Sequence, residues 1–186
     1  MPNIDRLLDR NRAFARSDAR QNLHGLMPRQ QVFVITCIDP RVDPAAVLGL
    51  QLGDAPVLRN AGGRVTAGAI EDVAFISYMV ETMGLEGPLF EVAVIHHTQC
   101  GTGFLADESF RHGFAGRTGF DEKALADEAV TDPAATVRAD VGRLLAAPQV
   151  SPRITVSGHV YDLETGLVAT IVSATAPQRV QHGHGA

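Results

Sequence analysis

Gln31-Val32-Phe33-Val34-Ile35-Thr36-Cys37-Ile38-Asp39-Pro40-Arg41 begins with a run of β-branched and aromatic residues and ends in a cysteine, an aspartate and an arginine around a proline. A short run that is apolar on both faces is the pattern of a strand buried on both sides, as in a parallel sheet. Pro40 and Pro44 close it, because proline cannot donate to a ladder. Glu91 to His97 repeats the pattern with Val92, Val94 and Ile95, and Val57-Leu58-Arg59-Asn60 is a shorter strand candidate before the turn-like Ala61-Gly62-Gly63. Between them Ile70, Val73, Ala74, Ser77, Val80 and Met83 fall at helical spacing, which predicts a helix over 66–83 ended by Gly84.

The rest of the chain extends this alternation. After Gly101-Thr102-Gly103 it becomes charged and helical, with helices predicted over 121–130 and 133–147, the second opened by Asp132-Pro133. Ile154 to Gly158 and Val168 to Ser173 flank Asp162-Leu163-Glu164-Thr165-Gly166, a hairpin turn. The order β-β-α-β-α-α-β-β predicts an α/β fold: a mostly parallel central sheet with an antiparallel edge strand, flanked by helices. Residues 3–20 read as an amphipathic helix, with Ile4, Leu7, Leu8 and Phe14 on one side and Arg6, Arg10, Arg12 and Arg16 elsewhere on the wheel. Residues 1–30 are therefore expected to form a helical arm, 31–180 one α/β domain, and 181–186 a disordered tail.

Composition bounds the function. With 186 residues, 45% hydrophobic and 20% charged, the chain is globular rather than disordered. Its net charge of −5 disfavours a nucleic-acid partner. No apolar run is long enough for a membrane span, and the charged start is unlike a signal peptide, so a cytoplasmic protein is expected. Cys37 and Cys100, the only two cysteines, stand 63 residues apart, which is no disulfide framework.

Both cysteines fall at the carboxyl ends of predicted buried strands, the edge where open α/β sheets place their ligands. The first lies in Cys37-Ile38-Asp39-Pro40-Arg41 (C-x-D-x-R), the second in His97-Thr98-Gln99-Cys100-Gly101 (H-x-x-C-G). Two thiolates and an imidazole suit zinc, and three protein ligands leave the fourth position open, as in catalytic sites. Neighbouring strand residues point to opposite faces, so His96 and His97 would not both bind one metal. His97 has the H-x-x-C spacing, and His96 is expected to be a packed histidine behind it. Gly101-Thr102-Gly103 lacks the third glycine of a dinucleotide fingerprint and reads as a turn into a helix whose amides help hold the Cys100 thiolate. His24, His112 and His159 have no evident partner in the sequence, and His182 and His184 lie in the tail.

These residues resemble the β-class carbonic anhydrases, whose zinc motifs are C-x-D-x-R followed some sixty residues later by H-x-x-C. Arg59-Asn60-Ala61-Gly62-Gly63 resembles the R-N-A-G stretch of that family, and Gly158-His159-Val160-Tyr161-Asp162 with Thr165-Gly166 is similar to its final strand pair. The resemblance implies that Cys37, His97 and Cys100 hold Zn²⁺ and that Asp39 and Arg41 form a catalytic dyad beside the open position. It implies reversible hydration of carbon dioxide to bicarbonate and a proton, by a zinc-held hydroxide. It also implies a homodimer or higher homo-oligomer gripped by the N-terminal arm. Enzymes that hydrolyse carbonyl sulfide or carbon disulfide are similar to the same pattern, so that hydrolysis on the same zinc is an alternative. A non-catalytic zinc-binding or redox module is a third, and it leaves Asp39 and Arg41 without a role. Pro40 stands where the family often has serine, and His96 where it often has glycine.

Overall fold

The structure, a computed structural model, describes residues 4–20 and 27–177. Five strands form one sheet in the order β2-β1-β3-β4-β5: β1 (Val32–Cys37), β2 (Val57–Asn60), β3 (Glu91–His97), β4 (Thr155–Tyr161) and β5 (Val168–Thr175). The first four are mutually parallel, and β5 returns antiparallel to β4. The sheet is thus the α/β architecture expected, with its antiparallel edge. β4 runs on to Tyr161, which pairs with Val168 at the base of the turn at 162–166, and β5 runs on to Thr175, which pairs with Val156 at the far end of the ladder, both past the predicted ends.

The helices are α1 (Asp5–Ala15), α2 (Pro44–Val47), α3 (Ala67–Thr82), α4 (Glu108–Thr118), α5 (Glu122–Asp127) and α6 (Pro133–Ala146). Local caps account for their starts. The Thr66 hydroxyl accepts from the Ala69 amide at α3, and the Asp132 carboxylate accepts from the Ala134 and Ala135 amides at α6, where Pro133 follows the cap. Asp107 and Asp121 cap α4 and α5 in the same way. α4 was not singled out in the sequence, because Gly113 and Gly116 interrupt its pattern, and α5 is shorter than the 121–130 expected. α1 likewise ends at Ala15, with a separate 3₁₀ turn at Asp18–Arg20. The expected tail at 181–186 and His24, His182 and His184 lie outside the described residues.

The core joins Val73 and Val80 of α3 and Val137, Val141 and Leu144 of α6 to Phe33, Ile35, Val92, Val94 and Val156 of the strands. A side chain at Gly158 would approach Val141 Cγ2 to 2.9 Å, so α6 reaches the sheet only because that residue has none. After β1 the chain adds β2 on one side and then crosses to β3 on the other. That reversal opens a crevice at the carboxyl ends of β1 and β3, the place where such sheets bind ligands. β1 ends on Cys37 and β3 on His97.

Candidate metal centre

Cys37, His97 and Cys100 converge in that crevice. All three are buried, and their ligand atoms lie within 4.8 Å of one another. The two sulfurs are 3.9 Å apart, and both thiols are free. His97 Nδ1 is 2.8 Å from the Thr98 carbonyl and donates to it, which fixes the tautomer that leaves Nε2 with a lone pair. His97 Nε2 is buried and is the only such side-chain nitrogen or oxygen without a hydrogen-bond partner among the described residues. A buried polar atom without a partner is costly unless something else satisfies it. A divalent metal could do so here, and the soft donor set of two sulfurs and an imidazole would suit zinc.

Electrostatics agree with this. Cys100 is pushed down because Cys37 donates to its sulfur and Thr102 adds further hydrogen bonds, while Cys37, as the donor and a buried thiol, is pushed up. The two sulfurs are thus biased in opposite directions, Cys100 toward the thiolate and Cys37 toward the thiol. Burial alone would push His97 down, but the neighbouring Cys37 sulfur and its charge outweigh it, and the net direction is up.

Asp39 and Arg41 stand at the rim. The Asp39 carboxylate accepts from Arg41 Nε at 3.0 Å, from Nη2 at 2.6 Å and from the Arg41 amide at 2.9 Å. This forked pair holds the Asp39 carboxyl down to about 2. The Asp39 side chain is 12% exposed and that of Arg41 51%, so the carboxylate faces inward and the cation faces the opening. Arg41 Nη2 also donates to the Gln99 carbonyl at 3.1 Å, tying the dyad to the H-x-x-C turn. Gln99 itself has φ 54°, a left-handed conformation unusual for a residue with a side chain. An open cavity of about 460 Å³ lies here, lined by Arg41, Gln99, Cys100, Phe104 and Asp107 among others. A second cavity of about 420 Å³, by Phe33, Met79 and Phe90 at the other end of the strands, contains none of these groups.

The Arg59-to-Gly63 stretch braces the site. Arg59 Nε donates to the Cys37 carbonyl at 2.9 Å, Nη2 to the Asp39 carbonyl at 2.7 Å and Nη1 to Asp43 Oδ2 at 2.8 Å. Gly63 has φ +68°, and a Cβ there would lie 2.9 Å from the Cys37 nitrogen, so only glycine lets this turn sit against the end of β1. The H-x-x-C turn is pinned from the far side: Thr98 donates its amide to Tyr161, and its hydroxyl accepts from the Leu163 amide.

His96, as expected, points away from the cluster. Its Nδ1 meets Thr136 Oγ1 at 2.8 Å, and its Nε2 lies 3.2 Å from both the Gly63 carbonyl and Asp140 Oδ2. Asp140 is fully buried on α6 and also accepts from Arg64 Nε at 2.7 Å, Arg64 Nη2 at 3.1 Å and the Val65 amide at 3.1 Å. Burial alone would push its carboxyl up, but His96 and Arg64 outweigh it, and the net direction is strongly down. Sequence reasoning missed Arg64, Asp140 and Thr136, because a lone charge on an amphipathic helix carries no signal of a partner 76 residues away. Two histidines without an evident partner have one: His112 meets Glu122 at 2.8 Å, and His159 meets Ser157 and Thr170.

Comparisons with known proteins place these features in context. A family model described as carbonic anhydrase matches residues 32–114, from the start of β1 into α4. The chain is 30% identical over 139 residues to beta-carbonic anhydrase 1 of Mycobacterium tuberculosis, covering 75% of this chain and 80% of that protein. It is 35% identical over 83 residues to a carbon disulfide hydrolase of an Acidianus strain, covering 45% of this chain and 37% of that protein. Among solved structures, carbonic anhydrase from Streptococcus mutans superposes with a TM-score of 0.75 at 32% identity, covering 92% of this chain and 98% of that one.

Proposed function

This chain belongs to the β-carbonic anhydrase family, and on that premise we propose that it catalyses the reversible hydration of carbon dioxide to bicarbonate and a proton at a zinc ion held by Cys37, His97 and Cys100. The observation that carries this is the bare, buried Nε2 of His97 facing two free sulfurs, with a carboxylate–guanidinium pair at the rim. Bound there, zinc supplies an acidified water and so a nucleophile near neutral pH.

The chain's own residues do the rest. Asp39 is ionised at any pH at which the reaction matters and can only accept. It would therefore accept a hydrogen bond from the attacking oxygen and turn a lone pair of that oxygen toward the carbon of carbon dioxide. Arg41 fixes the carboxylate by two parallel hydrogen bonds and places a positive charge where the bicarbonate anion leaves. Two thiolates would cancel the charge of a divalent ion held there, so Arg41 would supply the full positive charge that the bicarbonate product meets. Phe104 gives the mouth an apolar wall suited to an uncharged linear molecule.

Stopped-flow pH-indicator assays on zinc-loaded protein, run beside sulfide-release assays with carbonyl sulfide and carbon disulfide, test the substrate. Fast carbon dioxide turnover that Cys100→Ser abolishes is expected. Sulfide release with sluggish carbon dioxide turnover would transfer the assignment to the hydrolase reading, which the carbon disulfide hydrolase similarity favours. A non-catalytic module has no use for the dyad that Asp39 and Arg41 form.

The same reading makes residues 1–30 an arm that packs on a partner subunit of a homodimer or larger homo-oligomer. α1 has no buried residue, and Ile4, Leu7, Leu8 and Phe14 are exposed along it. Two thiols that must stay reduced to hold a metal fit the cytoplasm. Among the described residues no helix is long and apolar enough to cross a membrane.

A further inference from the structure

Thr102 lies in the 3₁₀ turn Gly101–Ala106 that follows Cys100, and its Oγ1 is 3.2 Å from Cys100 Sγ. The hydroxyl shows no other hydrogen-bond partner among the described residues. A thiolate has no proton to give, so once Cys100 is ionised the proton in this contact belongs to Thr102. The two sulfurs are thus served differently. Cys37 Sγ receives the Asp39 amide at 3.5 Å, a donor no side-chain replacement removes, whereas Cys100 receives, besides the Thr102 backbone, a hydroxyl that one replacement removes.

Space for that hydroxyl comes from the turn after β2. Gly62 has φ +79°, and a Cβ there would stand 3.1 Å from Thr102 Oγ1, 3.1 Å from Arg64 Cγ and 3.2 Å from Val130 Cγ2. The glycine keeps open the slot that Thr102 fills. A donor to a ligand atom fixes its orientation and withdraws charge from it, and such outer contacts tune the metal.

We infer that Thr102 is a positioning residue of the metal centre: its Oγ–H donates to the Cys100 thiolate, orients that sulfur and reduces the charge it passes to the metal, with Gly62 holding the slot open. This rests on Cys100 being a metal ligand. The test uses Thr102→Val, nearly isosteric but without the hydroxyl, and Thr102→Ser, which restores it. Zinc affinity is read by competition with a chromophoric chelator, and the sulfur environment by the thiolate-to-cobalt absorption band of the Co²⁺-substituted protein. Thr102→Val should bind zinc about tenfold more weakly and shift the band to lower energy, while Thr102→Ser stays within about twofold of the parent with its band in place. If Thr102→Val does not fold, Thr102→Ala takes its place with the same expectations. A hydroxyl-free variant with parental affinity and band overturns the inference, as does a Thr102→Ser protein that behaves like it. Loss of zinc in Cys100→Ser beside an unaffected Thr102→Val overturns this inference alone; parent protein that holds no zinc overturns the metal assignment with it.

Discussion

Replacing Asp140 with asparagine tests the buried brace behind the metal centre. Arg64 is 2% exposed and Asp140 fully buried, and the carboxylate accepts from two guanidinium nitrogens of Arg64, from the Val65 amide and from Arg143 Nη1. An amide in its place keeps one acceptor oxygen but removes the counter-charge, leaving the Arg64 cation with neutral acceptors such as the Asp127 carbonyl and with a distant Glu128 at 4.0 Å. Removing one partner of a buried pair costs about 3–5 kcal/mol, because the other charge is left uncompensated. At roughly 2–4 °C per kcal/mol for a chain of this size, Tm should fall by roughly 6–20 °C. Urea unfolding followed by circular dichroism, at one protein concentration and neutral pH, gives the free energy. The double variant Arg64→Met/Asp140→Leu removes both charges and should recover part of the loss, since apolar residues often replace a buried pair at little cost, while His96, the Val65 amide and Arg143 still lose their acceptor. The sign with pH is fixed too. The Asp140 carboxyl is depressed in the folded state, so its contribution is full above the ordinary aspartate range and is lost only as pH falls through the lowered value. A single variant within about 1 kcal/mol of the parent would refute the argument, since a buried guanidinium cannot lose its counter-ion so cheaply.

Three further outcomes are expected. Asp39→Asn should keep its zinc, by metal analysis, and lose about 10²–10⁴-fold in carbon dioxide hydration, because an amide can turn its donor toward the attacking oxygen. Gly63→Ala should lose stability and zinc, because its Cβ would meet the Cys37 nitrogen at 2.9 Å; Gly49→Ala has a similar φ of +69° and open space, and should cost only the backbone strain of about 1–3 kcal/mol. Comparable thermal shifts for the two would show that the contact with β1 is unimportant. Asp39 should titrate near pH 2 in the folded protein by ¹³C NMR, so the acid limb of activity belongs to another group. A midpoint at or above about 4, the ordinary aspartate value, would mean that the Arg41 fork does not persist in solution.

The strands were legible because parallel strands buried on both faces must be apolar throughout, as Val32 to Ile35 and Val92 to Ile95 are. The convergence of Cys37, His97 and Cys100 was legible because they sit at the ends of those runs in short, specific spacings. What lay behind it was not. Arg64 and Asp140 are separated by 76 residues and meet only because α6 packs beside the turn after β2. Thr102 sits in a Gly-Thr-Gly stretch that reads as a plain turn, and its role follows from a glycine forty residues earlier with no side chain to block it. His96 was placed correctly by strand alternation, but its Asp140 and Thr136 partners were invisible to any periodic pattern. α4 escaped because its two interior glycines dilute the helical signal, which its Asp107 cap and tertiary contacts restore.

Zinc K-edge X-ray absorption on the purified protein tests the central claim most directly. One zinc per chain is expected, with two sulfur scatterers at about 2.3 Å and the remaining shell of nitrogen or oxygen, and in Cys100→Ser a lower zinc content with one sulfur around the metal that is retained. A shell without sulfur, a four-sulfur shell, or a first shell unchanged by Cys100→Ser would contradict it.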